Sequence, residues 1–395
     1  MSRSHYSWTI TLFSFASMSL LALEMHAEES SSDRSLWRVE FTNDAAENGR
    51  LIEGRILVEA QDGGILLEDR AGVLWNLTPD RLIRREQTDE DYSRMPAQEL
   101  ADQLRLQLGG TADIVNTDHY VIATSGSRLH AEWCGALLER LLKAFLAYWR
   151  SPELNLQPPD GPLPVVIYPD RASFVEAAVT EGGAAFAKAN GYYSMKSNRI
   201  SLFDVTTERP GNQRPMRSRA DVQRFMVGNT SLVSTIAHEA VHQIAFNTGM
   251  HTRYADNPIW LTEGMAMFFE VPDLHSTSGW RTIGRVNSPR LQSFRESLTT
   301  ERRIDSLSSL TADGTRFQEP KTVEAAYAEA WIFTHFLIHS HRREYLTYLK
   351  MCSEHAPMNW MTREESHREF EEAFNKLPDH FESQLLKYAG RLAAR

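Results

Sequence analysis

An α+β fold is what this 395-residue sequence predicts, and three observations carry that reading. Residues 36–85 alternate apolar and polar side chains between closely spaced glycine turns, the pattern of short antiparallel strands. Most of the chain after residue 128 places apolar residues three and four apart, the spacing of helices buried along one face. Interspersed with them are isolated apolar runs such as Tyr120–Thr124 and Val165–Tyr168, too short for helices and suited to a small mixed sheet. The expectation is therefore a mainly helical domain with a small mixed sheet, preceded by a small all-β domain.

Taken in order, the first residues read as a targeting segment. Arg3 gives a basic start, Trp8 to Leu23 is mostly apolar but shorter than a bilayer requires, and Ala27 offers a small residue for cleavage. Residues 1–27 are expected to be a signal peptide, leaving an exported chain, periplasmic or extracellular in a bacterium, with no stable membrane span. An uncleaved anchor is the alternative. No Cys precedes Cys134, which excludes lipidation at a lipobox.

An all-β domain is expected over residues 34–87, with strands at Leu36–Phe41, Leu51–Glu59, Gly64–Glu68 and Val73–Leu77. Turns at Asn48-Gly49, Asp62-Gly63-Gly64 and Ala71-Gly72 make it a small β-barrel or curled sheet of SH3-like type. It carries no catalytic constellation and reads either as a docking module or as a packing appendage. Residues 88–110 are expected to be linker and helix: Glu86 to Arg94 is polar, and Pro96 to Leu108 is helical in pattern.

The second domain is expected over residues 111–395. Tyr120–Thr124 reads as a strand, and Arg128 to Arg150 as a long helix with Leu137, Leu138, Leu141, Leu142, Phe145 and Trp149 on its apolar face. Pro158 to Pro164 is a rigid loop and Val165–Tyr168 a buried strand, followed by a helix over Ala172–Val179. Gly191–Ser194 and Arg199–Asp204 suit a hairpin about Lys196-Ser197-Asn198, and beyond Ala330 the pattern is nearly all helical.

With 42% hydrophobic and 24% charged residues, the composition is that of an ordinary globular protein. A net charge of −10 argues against nucleic acid as a partner, and the arginines between Arg209 and Arg224 are interrupted by Pro, Gly and Asp, as in a loop. Only Cys134 and Cys352 occur; they suit either one disulfide or two buried thiols.

The chemistry concentrates in His238-Glu239-Ala240-Val241-His242. Residues four apart share a helix face, so His238 and His242 can meet one tetrahedral zinc ion, while Glu239 stands beside it as general base towards a metal-activated water. The surroundings support a helix: Asn229 or Thr230 can cap it, Leu232, Val233, Ile236, Ala237, Ala240, Val241 and Ile244 form its apolar stripe, and Gly249 can end it. Further on, twenty intervening residues separate His242 from Glu263, and before it Asn257 can cap and Pro258 start a second helix, Ile259 to Glu270. There Glu263 lies among Trp260, Leu261, Met265, Phe268 and Phe269, and a carboxylate so placed needs a partner that zinc would provide.

H-E-x-x-H followed by W-L-x-E-G-x-A-x-x-F-E resembles the gluzincin class of zinc metallopeptidases, and within it a bacterial family of exported proteins with a peptidase-MA-like domain. The resemblance implies a zincin-like peptidase fold, one Zn2+ per chain, and a peptide or protein substrate. It implies His238, His242 and Glu263 as metal ligands, Glu239 as catalytic base and an open fourth position for water. It also suggests Glu270 as an acceptor that orients a ligand histidine. Tyr327-Ala328-Glu329-Ala330-Trp331 is similar to the Y-x-Q/E-x-W helix of the same family, which makes Tyr327 the expected oxyanion donor; His335, His339 and His341 are alternatives. The class also holds substrate on an edge strand upstream of the zinc helix, for which Ile200–Asp204 is the candidate.

Other zinc patterns fit less well. A metzincin needs Gly and His where this chain has Ala245 and Thr248. Asp256 and His251 are weaker candidates for third ligand than Glu263. No G-x-M-E-N segment is present, so an aminopeptidase is not supported, and thermolysin's downstream pattern is also missing. The competing expectation is a non-catalytic envelope protein whose zinc site is structural or vestigial and whose β module binds a partner.

Overall fold

The computed structural model describes residues 35–43, 46–207, 216–300 and 305–394, so the expected signal peptide at residues 1–27 lies outside the described residues. The fold is α+β, with two five-stranded sheets and a predominantly helical remainder.

The N-terminal sheet comprises β1 (Ser35–Asn43), β2 (Ala46–Glu59), β3 (Ile65–Asp69), β4 (Leu74–Leu77) and β5 (Leu82–Asp91), all antiparallel. Its order is β4-β3-β2-β1-β5, with β4 and β5 at opposite edges, so the sheet does not close into the expected barrel. The sequence of β5 explains why: Leu82–Asp91 is mostly exposed and rich in charge, which leaves no apolar face to seal a barrel and blunts the edge against further pairing. The same lack of alternation hid β5 from sequence reading, and the segment expected to be linker from Glu86 is strand as far as Asp91. Val39, Phe41, Ile52, Ile65, Leu67 and Leu77 form the core of this sheet.

The chain continues through α1 (Ala97–Gln107), β6 (Asp113–Asn116), β7 (Tyr120–Thr124), α2 (Arg128–Tyr148), β8 (Leu163–Tyr168), α3 (Arg171–Gly182), β9 (Tyr192–Ser194) and β10 (Arg199–Phe203). The helices that follow are α4 (Arg219–Val227), α5 (Thr230–Asn247), α6 (Ile259–Phe269), α7 (Ser288–Thr300), α8 (Ser306–Ala312) and α9 (Thr315–Gln318). The last four are α10 (Val323–Ser340), α11 (Arg342–Ser353), α12 (Arg363–Phe374) and α13 (Glu382–Ala393).

The second sheet has the order β6-β7-β8-β10-β9 and is mixed, with β7, β8 and β10 parallel. Residues 199–203 are thus an inner strand, flanked by β8 and β9, and the expectation that Ile200–Asp204 forms an edge is corrected. The cause is pairing: β10 runs parallel to β8 on one side, and the hairpin through Asn198, at φ 55, lays β9 on the other, leaving β9 at the edge.

α5 packs against β9 and β10 of the second sheet and against α2 and α6. It ends as its sequence suggests: Gly249 takes φ 83, and the Met250 N–H reaches back to the Ala245 carbonyl at 3.1 Å, closing a Schellman motif. Asn229 occupies the N-cap, but its side-chain amide donates to the Phe225 carbonyl instead of capping α5. Pro258, not Asn257, sits at the N-cap of α6; the Asn257 amide holds the preceding loop through Thr252 and Ala255.

α6 is buried from Trp260 through Phe269, as a helix apolar on all sides must be. Gly264 lets it approach α10: a Cβ there would clash with the Thr334 hydroxyl and lie 2.8 Å from the Ala330 carbonyl oxygen. Gly264→Ala is expected to cost about 1–3 kcal/mol by overpacking, read as a lower urea midpoint with unchanged slope.

The two sheets are tied together by a buried carboxylate. Glu68 of β3 lies 2.8 Å from Arg94 and 2.5 Å from Arg253, which follows α5, and 2.6 Å from the more exposed Arg55. Arg253 also donates to the carbonyls of Gly72 and Met195. Cys134 and Cys352 are separate, buried free thiols. Among the described residues no helix is long and apolar enough to cross a membrane.

Candidate metal centre

The helical spacing of α5 sets His238 and His242 one above the other, with ring centroids 4.8 Å apart. The packing of α6 against α5 brings Glu263 to the same point. His238 Nε2 lies 3.1 Å from Glu263 Oε2 and 3.2 Å from His242 Nε2, and His242 Nε2 lies 3.6 Å from Glu263 Oε1. All three residues are buried, His238 retaining 6% exposure.

Behind His238, its Nδ1 lies 3.0 Å from Glu270 Oε2, which holds the ring with Nε2 turned to the centre. Glu270 is anchored in turn by the Asn287 amide at 2.5 Å and Arg290 at 3.2 Å. Burial opposes the charge on Glu270, but Arg290 and His238 outweigh it and hold its carboxyl below the usual range. Asn287 and Arg290, at the start of α7, were not found from the sequence, because no local pattern there announces a partner for Glu270.

Glu239 is 1% exposed, and its Oε2 accepts the Tyr193 N–H of edge strand β9 at 2.8 Å. This backbone contact too has no signature in side-chain spacing. Tyr327 of α10 is buried close enough to be influenced by both Glu263 and Glu239: burial first, then Glu263, pushes its hydroxyl pKa well above the ordinary tyrosine value. Arg290 stands over its ring at 5.7 Å. The other candidates read from the sequence stand outside the ligand group, although His251 is near enough to His242 to add to the downward push on its pKa. His335 bonds Tyr388 and the Gly284 carbonyl, Asp256 accepts from Met361 N–H, and His251 packs on Phe246.

The donor set calls for a cation. Burial opposes charge on His238, yet Glu263 and Glu270 push its pKa up to about 10; burial and then His238 drive His242 far down. The carboxylates thus favour one positive charge on His238, while His242 is kept neutral with a free lone pair. Glu263 Oε1 is buried there with no hydrogen-bond partner, an expensive condition for a carboxylate. Donors about 2.0–2.1 Å from a tetrahedral zinc stand roughly 3.3 Å apart, close to the separations found. His238, His242 and Glu263 could hold one metal ion, and among the described residues no fourth His, Cys, Asp or Glu joins that group.

Residues 232–359 match a family described as a protein of unknown function, DUF1570. The matched stretch runs from the first turn of α5 past α11, so it contains His238, Glu239, His242, Glu263, Glu270 and Tyr327. No curated protein matches the chain.

The contact between His238 and Glu270 makes a specific prediction. Glu270→Gln removes the carboxylate that holds Nδ1–H while keeping the side chain's size, and metal affinity should fall about 10–100-fold. Competition with a chromophoric chelator measures it.

Proposed function

We propose that this chain is a zinc-dependent peptide hydrolase of gluzincin type, exported to a bacterial periplasm or beyond, acting on a peptide or protein. The observation that supports it is the convergence of His238, His242 and Glu263 on one point, with Glu239 beside them and Glu270 behind. When bound, zinc supplies Lewis acidity towards a carbonyl oxygen and lowers the pKa of a water.

In this reading the side chains divide the remaining work. Glu239, its carboxylate oriented by the Tyr193 N–H, takes the proton of the attacking water and passes it to the departing amine nitrogen. Tyr327, kept protonated by its buried, anionic surroundings, donates its hydroxyl hydrogen to the developing oxyanion. Glu270, Asn287 and Arg290 keep His238 pointed at the centre. Export rests on residues 1–27 alone, and the intact mass of the mature chain should correspond to cleavage after Ala27.

Metal analysis with a peptide-library digest tests the reading. Zinc should be present at this centre, chelation should abolish cleavage, and restored zinc should return it; cleavage that survives chelation and His242→Ala would sink it. The burial of Glu239 and of all three ligands favours a second reading, a non-catalytic centre that holds α5 to α6. There, chelation would lower thermal stability with no cleavage to lose.

A further inference from the structure

A second group of metal-ligand side chains lies outside the centre described above. Cys352 stands in the last turn of α11, His355 two residues beyond its end, and Glu369 on α12. One donor atom from each lies within 4.8 Å of the others. Cys352 is fully buried, while the side chains of His355 and Glu369 keep 14% and 12% exposure, so the group is reachable from solvent on one side.

The plainest account of this group is an ion pair, His355 Nε2 to Glu369 Oε1 at 2.7 Å. It leaves Glu369 Oε2 buried with no hydrogen-bond partner and leaves the neighbouring Cys352 sulfur, which faces Tyr348, outside the ion pair. The orientation of His355 adds a third observation. Its Nδ1 donates to the Asp256 carbonyl at 2.5 Å, so Nε2 is the nitrogen presented to the group, and a carbonyl behind the ring is how ligating histidines are commonly held. Cys352 and His355 are separated by two residues, a gap short enough for neighbouring donors to meet one ion.

We propose that Cys352, His355 and Glu369 form a second metal site, which takes a thiophilic divalent ion of the zinc class through one sulfur, one nitrogen and one oxygen. Binding displaces the Cys352 thiol proton to solvent and draws the donors to roughly 3.3–3.7 Å apart, with a fourth position open. A sulfur and imidazole donor set disfavours calcium and magnesium, which take oxygen. The site braces the entry to α6. Met358 N–H bonds the Tyr254 carbonyl at 2.7 Å and Met361 N–H the Asp256 carboxylate at 2.8 Å, so the α11–α12 turn is strapped to the loop that leads into α6 and Glu263.

Cobalt(II) titration of the metal-free full-length protein tests this, because only a cysteine ligand gives a near-ultraviolet thiolate-to-cobalt charge-transfer band, and the first centre offers no sulfur. The band should persist in Cys134→Ser, saturate at about one cobalt per chain in His242→Ala, where the first centre is disabled, and vanish in Cys352→Ser. His355→Ala, at a partly exposed position, should weaken it at least about tenfold in affinity. A folded wild-type protein that binds cobalt without this band overturns the proposal, as does a band that survives Cys352→Ser. Loss of the first centre alone, read as about one fewer cobalt bound per chain in His242→Ala, leaves the band in place.

Discussion

Under the proposed hydrolase function, Glu239→Gln should keep its metal and lose about 10²–10⁴-fold in peptide cleavage, because the amide is nearly the same size but cannot accept and return a proton. The prediction separates chemistry from architecture. His238, His242 and Glu263 keep their mutual contacts in this variant, and the Gln side-chain carbonyl can still accept the Tyr193 N–H. Metal content and thermal stability should therefore stay near those of the parent while turnover falls. A Glu239→Gln protein with undiminished cleavage rules out Glu239 as the base. Zinc loss in the same variant would instead show that Glu239 helps to build the centre.

The largest effect on stability is expected away from the metal centre, at Glu68. Substitution by Gln removes the charge that compensates Arg94 and Arg253, both almost wholly buried, and should cost about 3–5 kcal/mol. Arg55, more than a third exposed, is discounted for solvent screening. Burial works against the charge on Glu68, but the three guanidiniums outweigh it, Arg253 most, and hold its carboxyl below the usual range. A carboxylate lowered in this way contributes in full above its unfolded pKa, and the contribution is lost as pH falls through the lowered value. The gap between parent and Glu68→Gln in denaturant midpoint should accordingly be widest near neutral pH and narrow on acidification. A gap independent of pH would show that lost packing, not charge, sets the cost.

How much could be read before folding differs by element, and the physical range of each signal decides it. β7 was expected at Tyr120–Thr124 and stands there, because its residues are buried on both faces and the apolar run is unbroken. The helix ends at Gly249 and the start of α6 after Pro258 follow from backbone preferences of single residues. β5 was missed because a charged edge strand has no apolar alternation to detect. The edge position of β9 was misassigned to Ile200–Asp204 because strand order in a sheet depends on which neighbours pair, and both strands of a hairpin look alike from within.

The same distinction runs through the candidate site. Helical periodicity alone was enough to pair His238 with His242 and to set Glu239 beside them, since those relations span a single turn. Glu263 could be singled out because a carboxylate amid Trp260, Met265 and Phe268 requires compensation. Other relations needed the tertiary structure. Asn287 and Arg290 reach Glu270 from α7, the Tyr193 N–H reaches Glu239 from an edge strand, and Arg253 reaches Glu68 across 185 positions of chain. Each depends on segments meeting only after the core has packed, and side-chain spacing along one helix or strand carries no record of such a meeting.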